Sequence, residues 1–111
     1  MNMADMILRD KVSVVTGAGR GIGRAIALSV AAEGSKVVVN ALRRSDGYAD
    51  ATAQEIIRKG GQAIACYADV SDFEQARKLV QTTVEVYGKI DILVNNAGIT
   101  GWRMPWDISG W

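Results

Sequence analysis

The sequence predicts an α/β fold, a doubly wound parallel sheet of about four strands covered by about three helices. Two observations carry this prediction. Short apolar, β-branched runs alternate along the chain with helix-forming stretches of about 11 to 16 residues. The apolar runs are also continuous, as is typical of strands covered on both faces. Strands that alternate with helices in this way pair in parallel through right-handed crossovers.

The first part of the chain predicts a strand, a tight turn, a helix and a second strand. Residues 12–16 form an apolar run that stops at the glycine-rich stretch 17–23. Apolar residues then recur at every fourth position from Ile22 onward, which predicts a helix that ends at Gly34. Residues 36–40 contain a continuous valine run and predict the second strand.

The same order continues to the fourth strand. We predict a loop over 43–47, a helix over 49–59, a strand over 63–68 and a further strand over 90–94. The last of these runs into the turn-forming cluster at 95–98.

The helix before the fourth strand has its own start and stop signals. Ser71 is followed three residues later by Glu74, the spacing of a capping box. Apolar residues from Phe73 to Tyr87 then trace one face of a helix that Gly88 closes.

Composition excludes several classes of function. Thirteen Lys and Arg against twelve Asp and Glu give a net charge of +1, so no nucleic-acid or membrane partner is expected. Cys66 is the only cysteine and histidine is absent, which excludes an internal disulfide, the usual zinc sites and Ser-His or Cys-His nucleophile pairs. No window approaches the roughly 18 apolar residues of a membrane span. We therefore expect a cytoplasmic protein without a metal site.

The glycine-rich stretch is the strongest candidate binding element. Thr16, Gly17, Gly21 and Gly23 give the spacing T-G-x-x-x-G-x-G between a predicted strand and a predicted helix. In that context the backbone approaches a pyrophosphate closely, and the positive end of the helix faces its charge. The alternative is a tight turn that merely packs the helix on the strand.

Three motifs together resemble the short-chain dehydrogenase/reductase family. They are the run from Thr16 to Gly23, the pair Asp69-Val70 after the third strand, and Asn95-Asn96-Ala97-Gly98 after the fourth. The resemblance covers nearly the whole chain but only about the first half of a typical member. It implies a Rossmann-type domain that binds a nicotinamide dinucleotide across the carboxyl ends of its strands.

The resemblance also implies roles for individual residues. Asp69 would bond the adenine amine, Val70 would contact the ring, Asn95 would tie the sheet to the cofactor region, and Ala97 and Gly98 would allow close approach to the ribose. The alternative for Asp69 is an exposed carboxylate beside a helix cap. The complete implied set of cofactor-binding residues is Gly17, Arg20, Gly21, Ile22, Gly23, Arg43, Asp69, Val70, Asn95, Ala97 and Gly98.

The end of the second strand favours NADP over NAD as the cofactor. Ala41 stands where the family's NAD-selecting aspartate usually falls. Arg20 resembles the basic residue that many NADP-using members place against the 2′-phosphate, and Arg43 offers a second charge-assisted contact. NAD stays open, because Arg43 and Arg44 also fit a solvated loop.

The family's catalytic Tyr-x-x-x-Lys pair is missing, so no catalytic residue is assigned. The residues four positions after the tyrosines are Thr52 after Tyr48, Ser71 after Tyr67 and Asp91 after Tyr87. We therefore expect residues 1–111 to be the N-terminal part of one domain, with the catalytic half absent and this part inactive alone. In the family's sheet a fifth strand pairs with the fourth, so we expect residues 90–94 to leave an open edge that favours a homo-oligomer.

The resemblance thus implies an NAD(P)-dependent oxidoreductase that transfers hydride between nicotinamide and a carbonyl or alcohol substrate. The residues after 94 resemble those of 3-oxoacyl reductases, although Gly101, Trp102 and Pro105 depart from that pattern. A second hypothesis is a non-catalytic dinucleotide-binding or regulatory module, which the missing Tyr-Lys pair favours.

Overall fold

The computed structural model describes residues 6–97 and forms one parallel sheet in the order β3-β2-β1-β4. In chain order the elements are β1 (Val12–Val15), α1 (Gly21–Ala32), β2 (Lys36–Ala41), a 3₁₀ turn (Arg44–Asp46), α2 (Tyr48–Arg58), β3 (Gln62–Tyr67), α3 (Phe73–Tyr87) and β4 (Ile92–Val94). All three strand pairings are parallel. The predicted doubly wound α/β fold is confirmed. Gly98 and the tryptophan-rich residues that follow it lie outside the described residues.

The valine runs are buried because helices cover both faces of the sheet. Val15 and Val39 are fully buried in a cluster that includes Ile56 of α2. Val14 and Val38 belong to a second cluster, together with Leu79 of α3. Neighbouring residues of one strand point to opposite faces of a sheet, so a strand covered on both faces carries apolar residues at consecutive positions.

The helix α3 begins one residue later than the predicted Ser71 cap implies, and that predicted cap is wrong. The N-cap is Asp72, whose Oδ1 accepts a hydrogen bond of 3.2 Å from the Glu74 amide. Ser71 instead donates its hydroxyl and its amide to Oδ1 of Asp69, at 2.6 and 3.0 Å. A local turn closed by Asp69 therefore uses the Ser71 side chain, and the capping role passes to the next residue.

The predicted apolar face of α3 is also partly wrong. Phe73 is 78% exposed and Val80 is 48% exposed. The buried residues are Leu79 and Thr83, and Tyr87 packs against the same cluster as Leu79. Thr83 is tolerated at a buried position because its hydroxyl donates to the Leu79 carbonyl at 2.8 Å. The prediction placed the wrong face of α3 against the sheet because the buried face contains a polar residue, Thr83, and the exposed face contains valines such as Val80.

A carboxylate ties the start of β1 to the start of β4 and makes stability depend on pH. Oδ2 of Asp91 accepts a 2.8 Å hydrogen bond from the Val12 amide and lies 3.1 Å from Nζ of Lys89. The Val12 hydrogen bond, followed by that of Lys89, lowers the pKa of Asp91 below its ordinary value. Because the folded-state pKa is the lower one, this contribution to stability is present above the unfolded pKa and is lost as pH falls through the folded pKa.

We therefore expect Asp91→Asn to lower the free energy of unfolding at neutral pH. On acidification, the free energy of unfolding of this variant should fall by less than that of the wild type. Urea denaturation at a series of pH values from about 7 down to about 2 measures both effects. Glu85→Gln, which removes an exposed carboxylate of α3, is the control for net charge. Identical pH profiles for Asp91→Asn and the wild type would contradict the assignment.

Candidate functional site

A cleft of about 810 Å³ lies at the carboxyl ends of the four strands. The loops that follow β1, β2, β3 and β4 all contribute to its lining, as expected for a doubly wound sheet, where ligands bind outside the carboxyl ends of the strands. Of the residues that the sequence singles out, those lining the cleft are Gly17, Arg20, Gly21, Ile22, Arg43, Asp69, Val70, Asn95 and Ala97. Gly23 is buried and is not one of the residues that line the cleft.

The glycine-rich turn after β1 needs glycine for two different reasons. Gly17 and Gly21 have φ angles of 59° and 61°, in the left-handed region that side chains other than hydrogen disfavour. Gly23 stands in the first turn of α1, where an added Cβ would overlap the carbonyl oxygen of Gly17 and lie 2.6 Å from Nδ2 of Asn96. The first two glycines shape the turn, and the third lets α1 pack against it.

The amides of the turn fall into two groups. Gly17 and Ala18 donate theirs to Asn40, to Oδ1 at 3.2 Å and to the backbone oxygen at 2.7 Å. The start of α1 is different, because its N-cap Arg20 makes no side-chain capping bond and no acidic residue stands in the first turn. The first amides of a helix have no partner within the helix. Gly21 and Ile22 both line the cleft, so this helix terminus suits an anion.

Asn40 is a site residue that the sequence reasoning missed. It is 2% exposed at the end of β2, and its Nδ2 donates to the carbonyl oxygens of Cys66 and Ala68, both at 3.1 Å. Since its Oδ1 accepts from Gly17, one side chain joins the glycine-rich turn to the end of β3. A polar residue that closes an otherwise apolar buried strand is the signal that identifies such a position.

The residues after β4 tie the sheet to the turn mainly through Asn96. Its Nδ2 donates to the Gly17 carbonyl at 3.0 Å, and the residue is buried. Thr16 completes the junction, because its Oγ1 accepts a 3.0 Å hydrogen bond from the Ala97 amide. Oδ1 of Asn95, to which the sequence assigned this tie, accepts from Thr16 at a longer 3.4 Å.

The charges around the cleft are mixed. Arg20 and Arg43 line it, and so do Asp46 and Asp69. The Arg20 guanidinium lies over the Tyr48 ring, 5.1 Å from its centroid. Ala41 at the end of β2 is buried and carries no charge.

Arg44 makes a packing contact outside the lining of the cleft. Its guanidinium lies over the Tyr67 ring, 5.0 Å from the centroid. The Tyr67 hydroxyl in turn donates to Oδ2 of Asp50 at 2.7 Å. These contacts order the segment over 43–47, where the sequence predicts a loop and the structure has a 3₁₀ turn.

Asp69 presents an ionised carboxylate to the cleft. The hydroxyl of Ser71, and then its amide, lower the pKa of Asp69 through hydrogen bonds to Oδ1. Both bonds use Oδ1, and an ionised carboxylate can accept further hydrogen bonds through its other oxygen. Such a group accepts from an amine or hydroxyl of a ligand.

Residues 6–97 contain no group of three or more His, Cys, Asp or Glu placed to hold a metal ion. Over the same range, none of the helices has the length and apolar character needed to cross a bilayer.

A parallel sheet with a glycine-rich turn, an uncapped helix start and a cleft at the strand ends defines a Rossmann-type α/β protein. Comparison with known families is consistent with that class. The family model described as short chain dehydrogenase matches residues 11–109, and the chain belongs to this family of oxidoreductases.

Individual relatives agree with the family assignment. The chain is 52% identical over 93 residues to a 3-oxoacyl-[acyl-carrier-protein] reductase of Synechocystis sp., covering 84% of this chain and 37% of the relative. It superposes on a hydroxysteroid dehydrogenase from Escherichia coli with a TM-score of 0.81 and 38% identity, covering 95% of this chain and 45% of that one. A 7α-hydroxysteroid dehydrogenase complexed with NADH and 7-oxo glycochenodeoxycholic acid gives a TM-score of 0.77 and 36% identity, with 96% and 42% covered. The chain thus spans about two fifths of the length of these relatives.

Proposed function

We propose that this chain binds a nicotinamide dinucleotide in the cleft and is the cofactor-binding part of an oxidoreductase. The observation that carries the proposal is the uncapped start of α1, where Gly21 and Ile22 line the cleft at the positive end of the helix. The similar 7α-hydroxysteroid dehydrogenase, which holds NADH, supports the class of ligand. When bound, a reduced nicotinamide would give a hydride to a carbonyl carbon, and an oxidised nicotinamide would accept one from an alcohol carbon.

The lining residues fit the parts of such a cofactor. The pyrophosphate lies against the amides at the start of α1, beside the turn that Gly17 and Gly21 shape. Asp69 accepts from the adenine amine, for which its ionised carboxylate is suited, and Val70 contacts the ring. Asn95 and Ala97 follow β4, at the other edge of the sheet from Asp69, and line the cleft there. We propose that they approach the ribose, together with Gly98, which lies outside the described residues.

The proposed cofactor is NADP rather than NAD. Ala41 offers no carboxylate to the 2′-hydroxyl that distinguishes NAD, and Arg20 and Arg43 bring two positive charges to the cleft. Arginine suits this role because its planar fork of donors matches a phosphate. Asp46 also lines the cleft and reduces the net positive charge there.

The substrate and the acid–base group are not among the features of residues 6–97. No Tyr-x-x-x-Lys pair occurs in the sequence, so we propose that this chain binds the cofactor without turning over a substrate by itself. The similarity to a 3-oxoacyl reductase supports an acyl thioester as substrate for the whole enzyme. A second candidate is a non-catalytic dinucleotide-binding or regulatory module, for which the cleft and the uncapped start of α1 would be sufficient.

The proposed setting is a cytoplasmic protein that forms a homo-oligomer. Within the described residues β4 pairs on one side only, with β1, and Leu93 is 62% exposed. An unpaired strand edge with an exposed apolar side chain favours pairing with another strand, from a second copy or from further sequence.

Isothermal titration calorimetry with NADP⁺ and NAD⁺ tests the cofactor assignment. We expect NADP⁺ to bind about tenfold or more tightly than NAD⁺, and Arg20→Gln to remove most of that difference. Arg77→Gln, which removes an exposed arginine of α3, is the matched control. Tighter binding of NAD⁺ by tenfold would overturn the choice of cofactor, and no binding of either at millimolar concentration would overturn the proposal itself.

A further inference from the structure

Tyr48 makes the one ring contact to a charged group of the cleft lining within the described residues. The guanidinium of Arg20 lies over its ring, 5.1 Å from the centroid, and both residues line the cleft. Arg20 is exposed and stands at the N-cap of α1 with an extended backbone, φ −158° and ψ 173°. A long side chain at such a position samples many rotamers unless something holds it.

Two contacts in turn hold Tyr48 itself. A Cβ added at Gly19 would overlap the Cβ of Tyr48, so this residue packs directly against the glycine. One helical turn later, Thr52 is fully buried and donates its hydroxyl to the Gly19 carbonyl at 3.1 Å. These two contacts with Gly19 hold the start of α2 against the glycine-rich turn immediately before Arg20, and they fix the position of the Tyr48 backbone and Cβ.

We propose that Tyr48 is a positioning residue that holds the Arg20 guanidinium toward a 2′-phosphate and so strengthens the discrimination between NADP and NAD. The inference rests on the proposed function, because it acts on the same arginine. A guanidinium that lies over an aromatic face is attracted through that face, while its N–H donors lie in its own plane and stay directed outward. The ring thus orders the arginine without competing with a phosphate for its donors.

This role predicts an effect confined to ligands that carry the 2′-phosphate. If the ring stacked on adenine, or only stabilised the turn, its loss would weaken every adenine nucleotide alike. Arg43 lies in the same cleft and provides the second charge, so selectivity should fall without disappearing.

The test compares adenosine 2′,5′-bisphosphate with 5′-AMP, which differ only in the 2′-phosphate, by calorimetry on the full chain. In the wild type we expect the bisphosphate to bind more tightly. We expect Tyr48→Leu to reduce the ratio of the two affinities about three- to fivefold, chiefly through weaker binding of the bisphosphate, and Tyr48→Phe to keep the ratio because it keeps the ring. In the Arg20→Gln background, Tyr48→Leu should leave the ratio unaltered, since the coupled partner is gone.

Each outcome decides something different. No preference for the bisphosphate in the wild type would overturn the choice of NADP and this inference with it. A preference that Tyr48→Leu leaves intact would overturn the inference alone, as would an equal weakening of both ligands.

If Tyr48→Leu does not fold, the wild type supplies a second readout. The Arg20 Nε proton, assigned from its absence in Arg20→Gln, should resonate upfield of the Nε proton of arginine in an unstructured peptide. A resonance without that ring-current shift would overturn the contact.

Discussion

Gly23→Ala is expected to abolish cofactor binding and to lower the free energy of unfolding by about 3 kcal/mol or more. The added methyl group would overlap the backbone oxygen of Gly17 and crowd Nδ2 of Asn96 at 2.6 Å. Neither neighbour is the free end of a flexible side chain, because Asn96 is itself held by its hydrogen bond to Gly17. The turn must therefore move away from α1, which breaks that bond and displaces the amides at the start of the helix.

Two further glycines separate this packing effect from backbone strain. Gly21 and Gly60 have φ angles of 61° and 94°, and an added Cβ at either would meet nothing within 4 Å. Alanine at each should cost about 1 to 2 kcal/mol of stability through the left-handed conformation alone. Only Gly21→Ala should also weaken NADP⁺ binding, because Gly60 lies beyond the end of α2 and outside the cleft lining.

Urea denaturation and calorimetry with NADP⁺ measure the series. A Gly23→Ala protein as stable as Gly60→Ala, with cofactor binding intact, would show that α1 and the turn are not packed as tightly as the structure has them.

Local patterns were sufficient for the order of elements and much less so for contacts between them. The valine runs and the glycines after α2 and α3 predict strands and helix ends, because burial on both faces and the left-handed helix stop are local requirements. The choice between Ser71 and Asp72 as cap depended on a competing turn closed by Asp69. The buried face of α3 depended on which side met the sheet, and neighbouring apolar residues on both sides made that ambiguous.

In the candidate site too, residues that belong to sequence motifs could be predicted, and residues that act through contacts distant in sequence could not. Motif residues such as Gly17 and Asp69, which line the cleft, were singled out through the family resemblance because the order and spacing of its motifs can be read along the chain. Asn40 and Tyr48 were missed because each acts on a segment distant in sequence, Asn40 across two strands and Tyr48 on the turn after β1. The polar end of the valine run marks the position of Asn40 but not its partners, and nothing near Tyr48 in the chain marks the partner of that residue.

Asn40→Asp is expected to lower the free energy of unfolding by about 3 to 5 kcal/mol at neutral pH, although the side chain keeps its shape. The two donors from Nδ2 to the carbonyl oxygens of Cys66 and Ala68 are lost, and a carboxylate oxygen faces those oxygens in their place. The residue is 2% exposed, so water has little access with which to replace the lost bonds. Acceptance from the Gly17 amide is retained, but a longer 3.4 Å bond from Nδ2 to the Ala41 carbonyl is lost as well, so only one of the four side-chain hydrogen bonds remains.

The penalty should depend on pH in a defined direction. Burial and the facing carbonyl oxygens raise the pKa of the introduced carboxyl above its value in the unfolded chain. The deficit in stability is therefore fully present above the folded-state pKa and shrinks as pH falls and the carboxyl takes up a proton, which restores one donor. Asn95→Asp makes the same chemical change at an exposed position and should leave stability close to that of the wild type. Urea denaturation at about pH 8 and about pH 5 compares the variants, and an Asn40→Asp protein within about 1 kcal/mol of the wild type at the higher pH would rule out Asn40 as the buried link between the turn and β3.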